Sequence, residues 1–226
     1  MISHKYKCIH IHIPKCAGTS IEKALGHFDG HLGRNGQDHR TIRMIEQPWL
    51  TQHSLKSFSN VKEIFRKIRH KIITKTNPKN HETVTAEQFK KYFKFTIVRN
   101  PYSRVFSWYN NVIRDDIQLK YYGISKDIEF TEYLKRCLKK SYMMKQQVCW
   151  LKNFKGKINL DYVGRFENID DVFQKISKNL YIEKIFFPHE KKSPKIDYKK
   201  YYDDFSIDLV SKFYKEDLEI FNYKFD

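Results

Sequence analysis

The stretch from Ile9 to Leu25 constrains this chain more than any other. Ile9-His10-Ile11-His12-Ile13 alternates apolar and polar residues, the period-2 pattern of a strand. Pro14 ends it, because proline brings no N–H to a ladder. Cys16, Ala17, Gly18, Thr19 and Ser20 form a short turn of small residues, after which Ile21, Ala24 and Leu25 recur at helical spacing. A strand, a tight loop bearing a lysine and a helix together make a cradle for an anion. The amides of the helix's first turn and the positive end of its dipole face the loop. Lys15 adds a mobile charge, and Thr19 and Ser20 add hydroxyl donors. The same local pattern also suits a crossover whose lysine is merely solvated.

A second stretch repeats the logic. Lys94-Phe95-Thr96-Ile97-Val98 reads as a strand and runs into Arg99-Asn100-Pro101. Asn100 is a good N-cap and Pro101 stands at the favoured first helical position. Val105, Trp108, Tyr109 and Val112 supply the apolar face of the helix that follows. Arg99 is therefore expected at the carboxyl end of a strand, the rim where open α/β sheets hold ligands. Ser107 lies two helical turns further on.

The loop does not have the nucleoside-triphosphate order G-x-x-x-x-G-K-[ST], because Lys15 precedes Gly18. Pro14-Lys15-Cys16-Ala17-Gly18-Thr19-Ser20 after an apolar strand instead resembles the 5′-phosphosulfate loop of sulfotransferases that use 3′-phosphoadenosine 5′-phosphosulfate (PAPS). Arg99, the Asn-Pro pair and Ser107 resemble that family's 3′-phosphate motif. Weaker likenesses are His39-Arg40-Thr41, Gly164-Arg165-Phe166-Glu167-Asn168, and the ending Asp217, Phe221, Tyr223. The resemblance, closest to carbohydrate-type members such as heparan and chondroitin sulfating enzymes and their bacterial relatives, runs from Ile9 to the C-terminus. It implies a P-loop-like α/β three-layer sandwich with a mostly parallel central sheet flanked by helices, formed as one domain over residues 1–226.

It also implies roles. Lys15 would act on the bridging oxygen, and Lys15, Cys16, Ala17, Gly18, Thr19 and Ser20 would cradle the 5′-phosphosulfate. Arg99 and Ser107 would bind the 3′-phosphate. His39 would take the acceptor proton, as an imidazole that titrates near working pH can; Glu22 and His12 are the alternative bases. Arg165 fits a phosphate contact or an ion pair equally. Lys192 and Ser193 fall where the family closes over the nucleotide, but Glu190-Lys191-Lys192-Ser193 departs from its pattern. Cys16 replaces a threonine common in that loop.

The net charge of +17 suits polyanionic partners: PAPS, an acidic glycan, nucleic acid or a membrane surface. Its spread along the chain and the lack of an RNA-reading motif speak against an RNA-binding module, and the missing G-K-[ST] order against a kinase. Cys8, Cys16, Cys137 and Cys149 show neither metal nor disulfide spacing, so free thiols and no metal are expected. No signal peptide or long apolar run stands near the start. Within the resemblance this points to a cytoplasmic, bacterial-type enzyme or a trimmed catalytic domain.

Residues 60–75 read as a strongly basic amphipathic helix, opened by Asn60 and Glu63 as a capping box. Val61, Ile64, Phe65, Ile68 and Ile72 line one face. A solvated outer face is the expected setting; guidance of an anionic acceptor or contact with a membrane surface is the alternative. Thr85 with Gln88 is expected to cap a short helix, and Ser206 to cap the last one.

Overall fold

The computed structural model describes residues 1–31, 33–182 and 196–225. In chain order they form β1 (Ile2–Ser3), β2 (Cys8–Ile11), α1 (Gly18–Ala24), α2 (Ile42–Ile45), α3 (Phe58–Ile72), α4 (Ala86–Lys91) and β3 (Phe93–Val98). Then follow α5 (Pro101–Val112), α6 (Asp116–Tyr122), α7 (Phe130–Cys137), α8 (Val148–Leu151), β4 (Tyr162–Arg165), α9 (Ile169–Asn179), α10 (Asp204–Phe213) and α11 (Lys215–Phe221). These elements fall into two compact units, residues 1–98 with 148–182, and residues 99–147 with 196–225.

The first unit holds the sheet, ordered β1-β2-β3-β4. β1 pairs antiparallel with β2, and β2, β3 and β4 run parallel, Ile11 opposite Thr96 and Val98 opposite Arg165. The fold is thus the expected α/β class with a mostly parallel sheet. All four residues of β2 are buried, His10 included. The alternation in the sequence therefore does not mark one wet face, because an inner parallel strand is covered on both sides. Ile9, Ile11, Phe95 and Ile97 form the sheet's core with Ile21, Val172 and Ile176. Gly164 lets α9 approach β4: a Cβ there would stand 2.6 Å from Val172.

Two caps differ from expectation. The N-cap of α3 is Ser57, whose hydroxyl accepts from the Asn60 amide. Asn60 is a buried helical residue that donates to the carbonyls of His53 and Phe154 and accepts from Arg43. Asp203, not Ser206, caps α10; Ser206 is the third helical residue and closes the box by accepting from the Asp203 amide. The Thr85–Gln88 box on α4 forms as read.

The second unit is helical. Tyr102, Val105, Phe106, Tyr109 and Val112 of α5 pack with Phe130, Tyr133 and Leu134 of α7 and Val210 of α10. Arg104 is fully buried here and donates to the carbonyls of Met143 and Lys145. The four cysteines are free thiols, and burial pushes the Cys8 thiol up to about 12. Among the described residues no helix is long and apolar enough to cross a membrane.

Candidate functional site

Beyond β2 the chain turns through Pro14 and Lys15 into α1. Lys15 and Ala17 both take positive φ, 68° and 61°. Neither is glycine, and each such residue costs on the order of 1–3 kcal/mol and persists only where its surroundings enforce it. Ala17, the N-cap of α1, has no side-chain oxygen to cap it; its carbonyl accepts from the amides of Ser20 and Ile21. Lys15, Thr19 and Ser20 are half-buried. Cys16 is buried, its thiol turned to the Pro14 carbonyl at 3.7 Å.

Gly18 has a steric reason beyond flexibility: a Cβ at this position would lie 2.0 Å from the His12 ring. The loop and His12 are thus in direct contact. His12 Nδ1 stands 3.1 Å from Glu22 Oε1 on α1. The His12 ring also meets that of His39, centroids 4.3 Å apart, and His39 in turn meets Trp150 at 6.2 Å. The sequence offered His39, Glu22 and His12 as competing bases; in space they form one cluster against the lysine loop. Asp38 adds to it, its amide donating to Glu22 Oε1 at 3.2 Å.

His39 Nδ1 lies 3.3 Å from the His12 carbonyl oxygen. A carbonyl only accepts, so Nδ1 carries the hydrogen and Nε2 is the nitrogen with a lone pair. Burial first, then the nearby His12, lowers the His39 pKa to about 4, with Glu22 pulling the other way. His39 is therefore neutral at pH 7. The buried Glu22 carboxyl would be raised by desolvation alone, but its contacts with His12 hold it below its ordinary value. Asp38 is likewise fully buried, and the charge of Arg40, bonded to it at 2.6 Å, overrides burial and holds its carboxyl well below the usual range. Thr41, the end of the His39-Arg40-Thr41 segment, donates to Glu63 Oε2 on α3 at 2.5 Å.

The second unit holds the other set. Asn100 caps α5 by accepting from the Tyr102 amide at 3.1 Å, with Pro101 at the first helical position. Arg99 is half-buried, and its Nε donates to Ser103 Oγ at 2.9 Å. Ser103 and Ser107 lie one turn apart on α5 and so share one side of the helix, the side that Arg99 meets at Ser103. The reading from sequence missed Ser103, and it missed Gln147. Gln147 is fully buried; its side-chain oxygen accepts from the Arg99 amide at 2.9 Å and its Nε2 donates to the Arg99 carbonyl at 2.8 Å. Asp217, buried in the C-terminal segment, accepts from the Gln147 amide at 2.7 Å. The aspartate of the ending thus supports Arg99 through one glutamine. An isolated glutamine far along the chain carried no local signal.

Arg165 is the exposed last residue of β4. Lys192 and Ser193 lie outside the described residues. Among the described residues no group of His, Cys, Asp and Glu is arranged to hold a metal ion. The family model described as "Sulfotransferase family" matches residues 1–224. No curated protein and no solved structure matches the chain.

Proposed function

Because the chain belongs to the sulfotransferase family, we propose that it moves the sulfuryl group of PAPS to a hydroxyl of a carbohydrate or glycoconjugate acceptor. The observation that carries this reading is the contact of the lysine loop with His12 at Gly18, and of His12 with His39. A lysine-bearing loop and a neutral imidazole thus both touch His12, an arrangement that suits sulfuryl transfer to an alcohol.

In this mechanism the acceptor oxygen attacks sulfur in line, as in phosphoryl transfer. The new O–S bond forms as the bond from sulfur to the bridging oxygen breaks. The electron pair leaves on the 5′-phosphate of adenosine 3′,5′-diphosphate. Lys15 stabilises the charge growing on that oxygen, and the loop amides with Thr19 and Ser20 hold the phosphosulfate. The acceptor proton passes to Nε2 of His39. Glu22, behind His12, offsets part of the positive charge that His39 gains. Arg99 and Ser107 bind the 3′-phosphate, the arginine fork meeting its oxygens bidentately, and Ser103 aims that fork. Arg165 is a further candidate for the nucleotide's phosphates, as are Lys192 and Ser193.

A thermal-shift comparison tests the donor. Adenosine 3′,5′-diphosphate should raise the Tm, because a ligand at 100 times its Kd adds about 2.7 kcal/mol. ATP with Mg²⁺ and short RNA should do so far less. Stabilisation by ATP with Mg²⁺ but not by the diphosphate would replace this reading with a kinase. Incubation with radiolabelled PAPS and extracted cell-surface glycans then tests the acceptor class, and label found only on small alcohols would exclude a glycan.

A further inference from the structure

We propose that α3 is a docking surface for an anionic lipid bilayer. The helix is amphipathic in an unusual sense, because the face it buries is largely polar. Asn60, Glu63, Ile64 and Lys67 point inward, held by Arg43, Thr41, Arg66 and the Glu46 carbonyl. Val61 is half-buried, and the remaining apolar residues point out. Phe58 is 75% exposed, Phe65 67%, Ile68 39% and Ile72 78%.

These residues recur at intervals of seven, three and four, so at about 100° per residue they form one stripe spanning roughly 20 Å. Leu55, 65% exposed, precedes the stripe, and Ile73, 40% exposed, follows it. Lys62, Arg66 and Arg69 flank it on one side, with the Lys62 ammonium 4.3 Å from the centre of the Phe58 ring.

Charge selects the occupant. From Lys56 to Lys75 the sequence holds seven lysines and arginines and one acid, Glu63. That acid is buried and engaged by Thr41 and Arg66. A second copy of this helix would bring two such cationic rims together and be repelled. A soluble polyanion would answer the cations but leave the Phe and Ile side chains in water. An anionic bilayer satisfies both: its headgroups meet the lysines and arginines, and its acyl boundary takes the apolar stripe. The proposal rests on α3 alone and is independent of the sulfotransferase mechanism.

Co-sedimentation of the full chain tests it, using vesicles of pure phosphatidylcholine and of phosphatidylcholine with phosphatidylglycerol at three to one. The chain should pellet with the mixed vesicles and stay in solution with the neutral ones. The double variant Lys62→Gln/Arg69→Gln should weaken the partition about fivefold per charge removed. The double variant Phe65→Ser/Ile72→Ser should weaken it by about tenfold or more. Both change exposed side chains, and circular dichroism should show the wild-type fold. A wild-type chain that stays in solution with the mixed vesicles overturns the proposal. So does loss of binding in the charge variant alone, the sign of a merely electrostatic surface. A wild-type dimer that Phe65→Ser/Ile72→Ser dissociates would assign the stripe to a second copy and overturn it too.

Discussion

The turn after β2 and the turn after β3 both carry a parallel strand into a helix, but they are built by different means. After β2 the backbone itself is shaped: Lys15 and Ala17 sit at positive φ, α1 starts on an alanine rather than a capping residue, and Gly18 is emptied of a Cβ so that His12 can lie against it. After β3 the backbone is ordinary and side chains shape the site. Asn100 caps α5, Gln147 bonds both backbone groups of Arg99, and Ser103 receives the Arg99 Nε. Under the proposed mechanism, the turn shaped by backbone would present amides and one lysine to the reacting centre. The turn shaped by side chains would present a pre-aimed cation to a phosphate that does not react. On the proposed mechanism the first should govern kcat and the second the KM for the donor.

The widest separation should come from Lys15→Ala, expected to lower kcat by about 10²–10³, the scale of one transition-state donor, with little change in the donor KM. A wild-type turnover in steady-state assays would remove Lys15 from the chemistry. Next comes Arg99→Ala, which should raise the donor KM by roughly 10–100-fold, since a charge-assisted hydrogen bond contributes about 1.5–3 kcal/mol, and leave kcat nearly intact. A loss confined to kcat would erase the contrast between the two turns.

Gly18→Ala should destabilise by about 1–3 kcal/mol through overpacking against His12, seen as a lower midpoint in urea. It should also reduce kcat by displacing His12 from His39. An unchanged midpoint would mean that the His12 ring moves aside freely.

Acid should weaken the first unit. His39 titrates near 6.5 when unfolded and about 4 when folded. Between those values the unfolded chain binds a proton that the folded chain refuses, so stability falls as pH drops from about 6.5 towards 4. His10 and His27, also lowered by burial, act in the same direction. From pH 7 to 5 the His39 share is about 1–2 kcal/mol, and thermal melts across this range should show a falling Tm. A flat Tm would mean that His39 is open to solvent. The smallest effect belongs to Ser107→Ala, expected to raise the donor KM about threefold to tenfold, as one neutral hydrogen bond of about 0.5–1.5 kcal/mol would.

Local signals were legible where a single turn of chain decides the outcome. The Asn100-Pro101 start of α5 and the Thr85–Gln88 box depend on residues within three positions of one another, and both form as read. The start of α3 misled because Asn60 and Glu63 have box spacing, while Ser57 three residues earlier supplies the capping oxygen and leaves the buried Asn60 side chain to its own partners. The strained turn at Lys15 and Ala17 was illegible because the usual marker of positive φ, glycine, stands elsewhere. Helices α3 and α5 show the same limit at the next level. Both carry apolar stripes at helical period, yet the stripe of α5 is buried while that of α3, apart from Ile64, is largely exposed. Periodicity shows that a helix has two faces and does not say which one meets a core.

The sequence by itself determined two strands with the turns and helices that follow them, the lysine and arginine in those turns, and through these motifs the family. Those features are local in the chain, so spacing and residue chemistry suffice to reveal them. Only the tertiary structure gathered His12, Glu22 and His39 into one cluster, placed Gln147 and Asp217 behind Arg99, and turned α3 outward. Each of these depends on which distant segment reaches a given side chain, and that is decided when the core closes and each buried polar group must find a partner.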